Sequence, residues 1–189
     1  MKDNGIKINF CSSCGAPMEE KIPVDDDHIR AVCTKCPHVQ YENPKMVVGC
    51  IPIFEDKILL CKRNIEPRKG KWTLPAGYLE NKESVQDGAV RETLEETGAH
   101  VQIIDPYRLF NIVFVDQIYL MFRAELGDQM FGPTSESCEV RLFTEAQIPW
   151  DEIAFEVIRQ TLVDFFLDRK QGAYSFKIRD LKAFRPGIL

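Results

Sequence analysis

Glu92, Glu95 and Glu96 fall in the run Arg91-Glu92-Thr93-Leu94-Glu95-Glu96-Thr97-Gly98, so three carboxylates occupy little more than one helical turn. At about 100° per residue the acids span an arc of roughly 100°, with Val90, Leu94 and Thr97 on the opposite side. This spacing predicts one acidic face and one core face. Carboxylates roughly 6 Å apart repel by about 3 kcal/mol per pair at an effective dielectric near 20, a cost that a divalent cation or water relieves. Three glutamates alone read as a solvated acidic face, so a cation site needs support from the surrounding chain. Gly88, one turn before Glu92, costs about 1 kcal/mol relative to alanine in a helix, and its small size is expected to leave room beside the carboxylates.

That support lies upstream, in Trp72-Thr73-Leu74-Pro75-Ala76-Gly77-Tyr78-Leu79-Glu80, followed by Glu83 and then Arg91. Gly77, Glu83, Arg91, Glu92, Glu95, Glu96, Gly98 and Ala99 stand in the register of the Nudix hydrolase signature, which this segment resembles; Thr93 departs from it, at a position where the pattern prefers an aliphatic residue. Ser84 suits an N-cap and Gly98 a C-terminal stop, which predicts a helix over 85–97. The resemblance implies an α/β Nudix fold, a mixed β-sheet sandwiched between helices. It also implies Mg²⁺ or Mn²⁺ held by Glu92 and Glu96, with Glu95 assisting and the backbone carbonyl of Ala76 as a further ligand, all hard oxygen donors. Arg91 and Glu83 are then expected to pair and hold the loop against the helix.

Four of the seven cysteines form two pairs, Cys11-Ser12-Ser13-Cys14 and Cys33-Thr34-Lys35-Cys36. Each pair can close a tight turn that aims both sulfurs at one ion, with Gly15 and Pro37 suiting the turns, and four thiolates complete a tetrahedral Zn²⁺ site with no open position. Such zinc is structural. His38 is a competing ligand that the four cysteines make unnecessary, and His28 and His100 are isolated. Cys50 and Cys61 sit in apolar runs and Cys138 among polar residues, and nothing marks any of them as a nucleophile.

The chain has 189 residues, 44% hydrophobic and 28% charged, with a formal net charge of -5. These values fit one good core plus a small appendage, read as a zinc ribbon over 1–42 and a Nudix domain over 43–189. The negative balance argues against a general nucleic-acid binder, which needs a basic stripe. No apolar stretch marks the start and no window approaches the roughly 18 apolar residues of a membrane span, so a cytoplasmic protein without membrane partners is expected. A homodimer is left open.

Residues 46–54 and 57–62 read as strands joined at Glu55-Asp56, and 101–104, 109–115 and 117–125 as further strands, with Asp116 as a turn. A loop over 127–137 leads to a short strand at 140–143. An amphipathic helix over 155–169 turns Val157, Ile158, Leu162 and Phe165 or Phe166 to the core, and 172–178 reads as a terminal strand.

The resemblance extends through Asn43-Pro44-Lys45-Met46-Val47-Val48-Gly49-Cys50 and Leu59-Leu60-Cys61-Lys62-Arg63-Asn64-Ile65 to the Nudix group that includes the plant plastid FAD pyrophosphatase, which also accepts ADP-ribose. NADH pyrophosphatases with zinc ribbons carry Ser-Gln-Pro-Trp-Pro-Phe-Pro downstream, and no such string occurs here. The implied activity is hydrolysis of the diphosphate of a nucleoside diphosphate derivative, FAD first and ADP-ribose second. Glu95 or Glu139 is the expected base, Lys62 and Arg63 are candidates to reach phosphate, and Trp72, Tyr78 or Phe131 to stack on a base. NADH hydrolysis and a Nudix ligand sensor are the alternatives; a sensor has no need of the intact acids.

Overall fold

Ten residues, Lys45–Phe54, make the strand on which the larger part of the protein is built, and their side chains sort by parity. Val48 and Cys50 point to one face of the sheet and Ile51 and Ile53 to the other, as the period of two requires. The computed structural model describes residues 8–127 and 130–181. The chain divides at Asn43-Pro44 into two compact units.

In the first unit, β1 (Met18–Lys21), β2 (Arg30–Cys33) and β3 (Val39–Gln40) form an antiparallel sheet in that order. Its core is small, with Cys11, Ala16 and Cys33 buried and Met18 and Cys36 packed on them.

The second unit runs β4 (Lys45–Phe54), β5 (Lys57–Arg63), β6 (Trp72–Thr73), β7 (Ala76–Tyr78), α1 (Val85–Thr97), β8 (Val101–Ile112), β9 (Gln117–Leu126), β10 (Ser137–Phe143), α2 (Glu156–Gln171) and β11 (Lys177–Leu181). The mixed sheet has the order β10-β5-β4-β9-β8-β11, with β6 on β5 and β7 on β4. β4 pairs with β9 in parallel, and with β5 only next to their hairpin, at Ile53↔Ile58 and Phe54↔Lys57. Beyond that point β4 takes β7 and β5 takes β6. Gly49 makes the β4–β7 approach possible, because a Cβ there would lie 2.4 Å from the carbonyl oxygen of Pro75.

Each face of the sheet carries one helix. Val157, Ile158, Leu162, Phe165 and Phe166 of α2 pack with Ile51, Leu60, Trp72 and Met121; the periodicity of the helix predicted the first three and one of the two phenylalanines, and both phenylalanines are buried. On the other face Ala89 of α1 meets Val48, Cys50 and Phe122. The buried side of α1 is Gly88, Ala89, Glu92, Thr93, Glu96 and Thr97, which corrects the expected division into an acidic and a core face: Leu94 is 39% exposed. Small residues let the helix lie close to the sheet, and this turns two of its carboxylates inward. Thr93, the departure from the signature, is buried with its hydroxyl donating to the Ala89 carbonyl at 2.8 Å, so it leaves no unsatisfied polar atom.

Several element boundaries differ from the sequence reading, among them that of β10, which begins at Ser137 inside the expected loop because it pairs with β5 from Arg63 onward. β8 continues through Pro106, which stays opposite Phe122 between register shifts at Ile103/Asp105 and Pro106/Arg108, so the strand tolerates a residue that cannot donate where its ladder is already irregular. Val113–Val115 is a 3₁₀ turn ending at Asp116 with φ 51°, instead of the end of a strand. The last strand begins at Lys177, because Gly172 caps α2 in the left-handed region. Buried Arg108 ties β8 to α2 through Asp164 at 2.8 Å and Asp168 at 2.7 Å. Among the described residues no helix is long and apolar enough to cross a membrane.

Candidate active site

Helix α1 is fixed at both ends by its own sequence. Ser84 Oγ accepts from Asp87 N at 3.1 Å, and Gly98, at φ 70°, donates to the Leu94 carbonyl at 2.8 Å, which gives the 85–97 span expected. The loop before the helix is clamped by Arg91. Its guanidinium donates to Glu83 at 2.8 and 3.1 Å, to the Tyr78 carbonyl at 3.1 Å, to Glu92 at 2.8 Å and to Glu95 at 2.9 Å. Glu83 also accepts from Glu80 N, and the Arg91 guanidinium lowers its pKa to about 2. Gly88 makes room for this clamp and not for the acidic triad: a Cβ there would be 2.9 Å from Glu83 Oε1 and 2.9 Å from Leu79.

Glu92 and Glu96, 9% and 5% exposed, are charged groups of a kind rarely buried without a partner. Glu92 lies against β7, and a Cβ on Gly77 would come within 2.2 Å of its carboxylate, so a larger residue at that position would displace the carboxylate. Glu96 Oε2 accepts from Ala76 N at 3.2 Å. Burial pushes the Glu96 carboxyl up to about 7, with the charge of Glu92 adding to the effect. Burial likewise raises Glu92, opposed by Arg91 and reinforced by Glu95 and Glu136. Two inward carboxylates that burial raises in spite of the Arg91 and Ala76 contacts are a donor set for a hard divalent cation.

These acids border a cavity of about 700 Å³, which Val47, Arg63, Thr73 and Ala76 also line where β4 and β5 part. Glu95, 53% exposed at its side chain, stands at its edge. Ile65, Ile112, Phe114, Val115 and Phe155 form an apolar wall, and Tyr78 and Tyr119 line it as well. Gln117 donates to the Tyr78 hydroxyl at 3.0 Å.

Of the residues singled out in the sequence, Glu92, Glu95, Glu96, Arg91, Ala76, Arg63 and Tyr78 come together in this cavity. Glu83 stands behind them as the partner of Arg91. Others do not reach it. Trp72 is 4% exposed and packs edge-on against Phe143 at 4.9 Å, a core residue without a face to offer a ligand. Lys62 and Arg63 are neighbours on a strand and cannot both point the same way; Lys62 turns to the Trp72 ring and to Glu139, while Arg63 reaches the cavity. Glu139 sits opposite Lys62 in the β5–β10 register and pairs with Lys62 at 3.7 Å and Arg141 at 3.4 Å, outside the cavity lining. Phe131 packs on Leu59, Ala99 and Val140 and so anchors its loop.

The acid that faces the cavity from this part of the chain is Glu136. Its loop is held to the end of α1 by Gly132 N donating to the Thr97 carbonyl at 2.9 Å, and to β5 by Asn64 N donating to the Glu136 carbonyl at 2.7 Å. Sequence reasoning missed Glu136. The available signal was that Glu139 precedes Val140-Arg141-Leu142-Phe143, a strand pattern that commits its side chain to cross-strand pairing, whereas Glu136 lies in the turn-forming Thr134-Ser135-Glu136-Ser137. Phe114 and Val115 were missed because the 3₁₀ turn that presents them read as strand.

In the first unit the four sulfurs of Cys11, Cys14, Cys33 and Cys36 lie within 4.8 Å of one another, with Cys11–Cys36 at 3.7 Å and Cys14–Cys33 at 3.5 Å. Ligands at about 2.3 Å from a tetrahedral zinc stand roughly 3.8 Å apart, so the arrangement fits that ion. Backbone N–H groups of Cys36 and Lys35 point at Cys33 Sγ, both at 3.3 Å, and lower its pKa, as a metal thiolate requires. His38 is bonded instead to Ser12 and Ser13, both at 3.3 Å.

The family model of the NUDIX domain matches residues 43–161, and that of the Nudix N-terminal zinc ribbon matches residues 9–42. The chain is 31% identical to the NAD-capped RNA hydrolase NudC of Pseudomonas aeruginosa over 170 residues, which cover 87% of this chain and 57% of that protein. It is 45% identical to the ADP-ribose pyrophosphatase of Methanocaldococcus jannaschii over 58 residues, 31% of this chain and 34% of that protein. The chain thus spans less than two thirds of the length of these curated relatives. A crystal structure of a NUDIX hydrolase from Nitrosomonas europaea is similar at a TM-score of 0.90 and 47% identity, covering 92% of this chain and 99% of that one. The domain match takes in every acid of the cavity, and the chain accordingly belongs to the Nudix hydrolase family.

Proposed function

We propose that this protein hydrolyses the diphosphate bond of a nucleoside diphosphate derivative with Mg²⁺ or Mn²⁺, FAD being the first candidate and ADP-ribose the second. The observation that carries the reading is the buried pair Glu92 and Glu96 at a cavity that Arg63 also enters and that an apolar and aromatic wall closes. Glu92 and Glu96 would hold the cation, with Glu95 and the Ala76 carbonyl contributing. The cation supplies neutralisation of the diphosphate and of the departing oxygen. Arg91 holds Glu92 and Glu95 in place and ties the loop to the helix, while Arg63 offers its charge to a phosphate. Glu136 orients the attacking water and accepts its proton in preference to Glu95, which Arg91 engages at 2.9 Å, and to Glu139, which is paired elsewhere.

A cavity of about 700 Å³ lies in the range of small-molecule sites. Its apolar wall suits a flat ring, and the run from Asn43 to Ile65 leans to the FAD group. A second reading is favoured by the identity with NudC: an NAD-linked substrate, NAD-capped RNA included. The free thiols and the zinc-spaced cysteines fit a reducing, cytoplasmic setting, with Zn²⁺ as a structural ion in the first unit.

A panel of FAD, ADP-ribose, NADH and an NAD-capped oligoribonucleotide, with and without Mg²⁺ and with product identification, tests these readings. FAD must yield FMN and AMP, and ADP-ribose must yield AMP and ribose 5-phosphate. In ¹⁸O-labelled water the label marks the phosphate that was attacked. A kcat/KM for NADH or the capped oligonucleotide about tenfold above that for FAD, equivalent to about 1.4 kcal/mol, reverses the substrate ranking. No turnover of any of them with Mg²⁺ sinks the enzymatic assignment.

A further inference from the structure

Cys61 has no part in the chemistry proposed for the cavity, yet its thiol touches Glu96, which lines it. The residue is fully buried in β5, and its Sγ stands 3.5 Å from Glu96 Oε2 and 3.7 Å from the Thr73 carbonyl. Oε2 is also the oxygen that accepts from Ala76 N at 3.2 Å. Two donors from two different strands therefore converge on one of the two carboxylate oxygens. The direction of the thiol is set by the sheet, since Cys61 is paired with Thr73 of β6 on one side and Val140 of β10 on the other. A buried cysteine is ordinarily a small apolar filler. Here Leu59, Ala99 and Val140 supply apolar packing, but the sulfur also meets a carboxylate, which an apolar filler does not need.

We propose that Cys61 is a positioning residue: its S–H and the Ala76 N–H hold Glu96 Oε2, so that Glu96 presents Oε1 to the cavity and to the cation there. The proposal rests on the reading of Glu96 as a cation ligand. The terminal torsion of a glutamate is broad, and without these contacts the carboxylate is free to turn. Hydrogen bonds behind a metal ligand are worth about 10–100-fold in affinity or activity, and a weak sulfur donor belongs at the low end, about tenfold.

The test is Mn²⁺ binding, followed by electron paramagnetic resonance of free Mn²⁺, to the zinc-loaded full chain and to Cys61→Ala, Cys61→Ser and Cys61→Val, with thermal melting measured alongside. Cys61→Ala is expected to weaken Mn²⁺ binding about tenfold, while Cys61→Ser, which keeps a donor, stays within about threefold of wild type. Cys61→Val fills the space without donating and is expected to match Cys61→Ala, so it replaces that variant should alanine fail to fold. Unchanged binding in Cys61→Ala or Cys61→Val, or an equal loss in Cys61→Ser, makes Cys61 mere packing and overturns the proposal. Glu96→Gln is the control: if it also binds Mn²⁺ as wild type does, Glu96 is no ligand, and the reading beneath the proposal fails first.

Discussion

Glu96→Gln removes one charge and almost no volume, which makes it the sharpest probe of a buried cation site. In the metal-free protein the Glu96 carboxyl is shifted from 4.5 to about 7, chiefly by burial, and the unfolded chain has the ordinary value. Between those two values the folded state holds a proton that the unfolded state has released, so the stability of the metal-free protein falls as pH rises through this window. Above about pH 7 the full cost of ionisation is present, roughly 3 kcal/mol by linkage and less once relaxation and water entry are counted. Glutamine keeps an oxygen for the Ala76 N–H and carries no charge, so it escapes this cost. For a chain of this size about 1 kcal/mol corresponds to roughly 2–4 °C, so metal-free Glu96→Gln should melt about 5 °C above metal-free wild type near pH 8, with the gap closing near pH 5. Mg²⁺ should reverse the order, stabilising wild type by mass action and leaving the variant unmoved. Scanning calorimetry over that pH range, in chelator and then in Mg²⁺, makes the comparison. Titrating groups that do not interact with Glu96 are common to both proteins and cancel in the difference; Glu92, which does interact, is relieved of repulsion in the variant, and this adds to the gap. A gap between variant and wild type that does not change with pH, or a variant stabilised by Mg²⁺ as much as wild type, refutes the buried-ligand account.

The remaining predictions concern the other groups that build the two sites. Glu136→Gln should lower kcat on the order of 10²-fold or more while Glu139→Gln stays near wild type, measured by steady-state turnover of the substrate found in the panel; equal effects would mean that the loop acid is misassigned. Arg91→Lys keeps the charge but not the fork that spans Glu83, Glu92, Glu95 and the Tyr78 carbonyl, so kcat should drop about 10²-fold at saturating Mg²⁺, and retention of wild-type kcat would show that the clamp is dispensable. Cys33→Ser should lose zinc on elemental analysis and loosen residues 8–43 in hydrogen exchange while α1 stays protected, because structural zinc contributes folding free energy to so small a unit. Zinc absent from wild type purified without chelator would sink that idea.

What the chain discloses in advance depends on whether local rules or tertiary placement decide the outcome. The helix over 85–97 was legible to the residue, because Ser84 and Gly98 cap it by contacts within one turn. The hairpin at Glu55-Asp56 and the buried stripe of α2 were legible for the same reason, turn geometry in one case and the 3.6-residue period in the other. The orientation of α1 was not. Periodicity ranks faces by polarity, and it placed Leu94 in the core and the acids outside, whereas the sheet selects the face that allows the closest approach, namely Gly88, Ala89 and Thr93. That preference for small residues is what carries Glu92 and Glu96 inward and raises their pKa values, so the feature that makes them candidate metal ligands is the one that polarity reading assigned to solvent. The same limit separates Glu136 from Glu139. Both are acids in one short segment, and only the β5–β10 register, which sets Glu139 against Lys62, shows which of them is left to face the cavity.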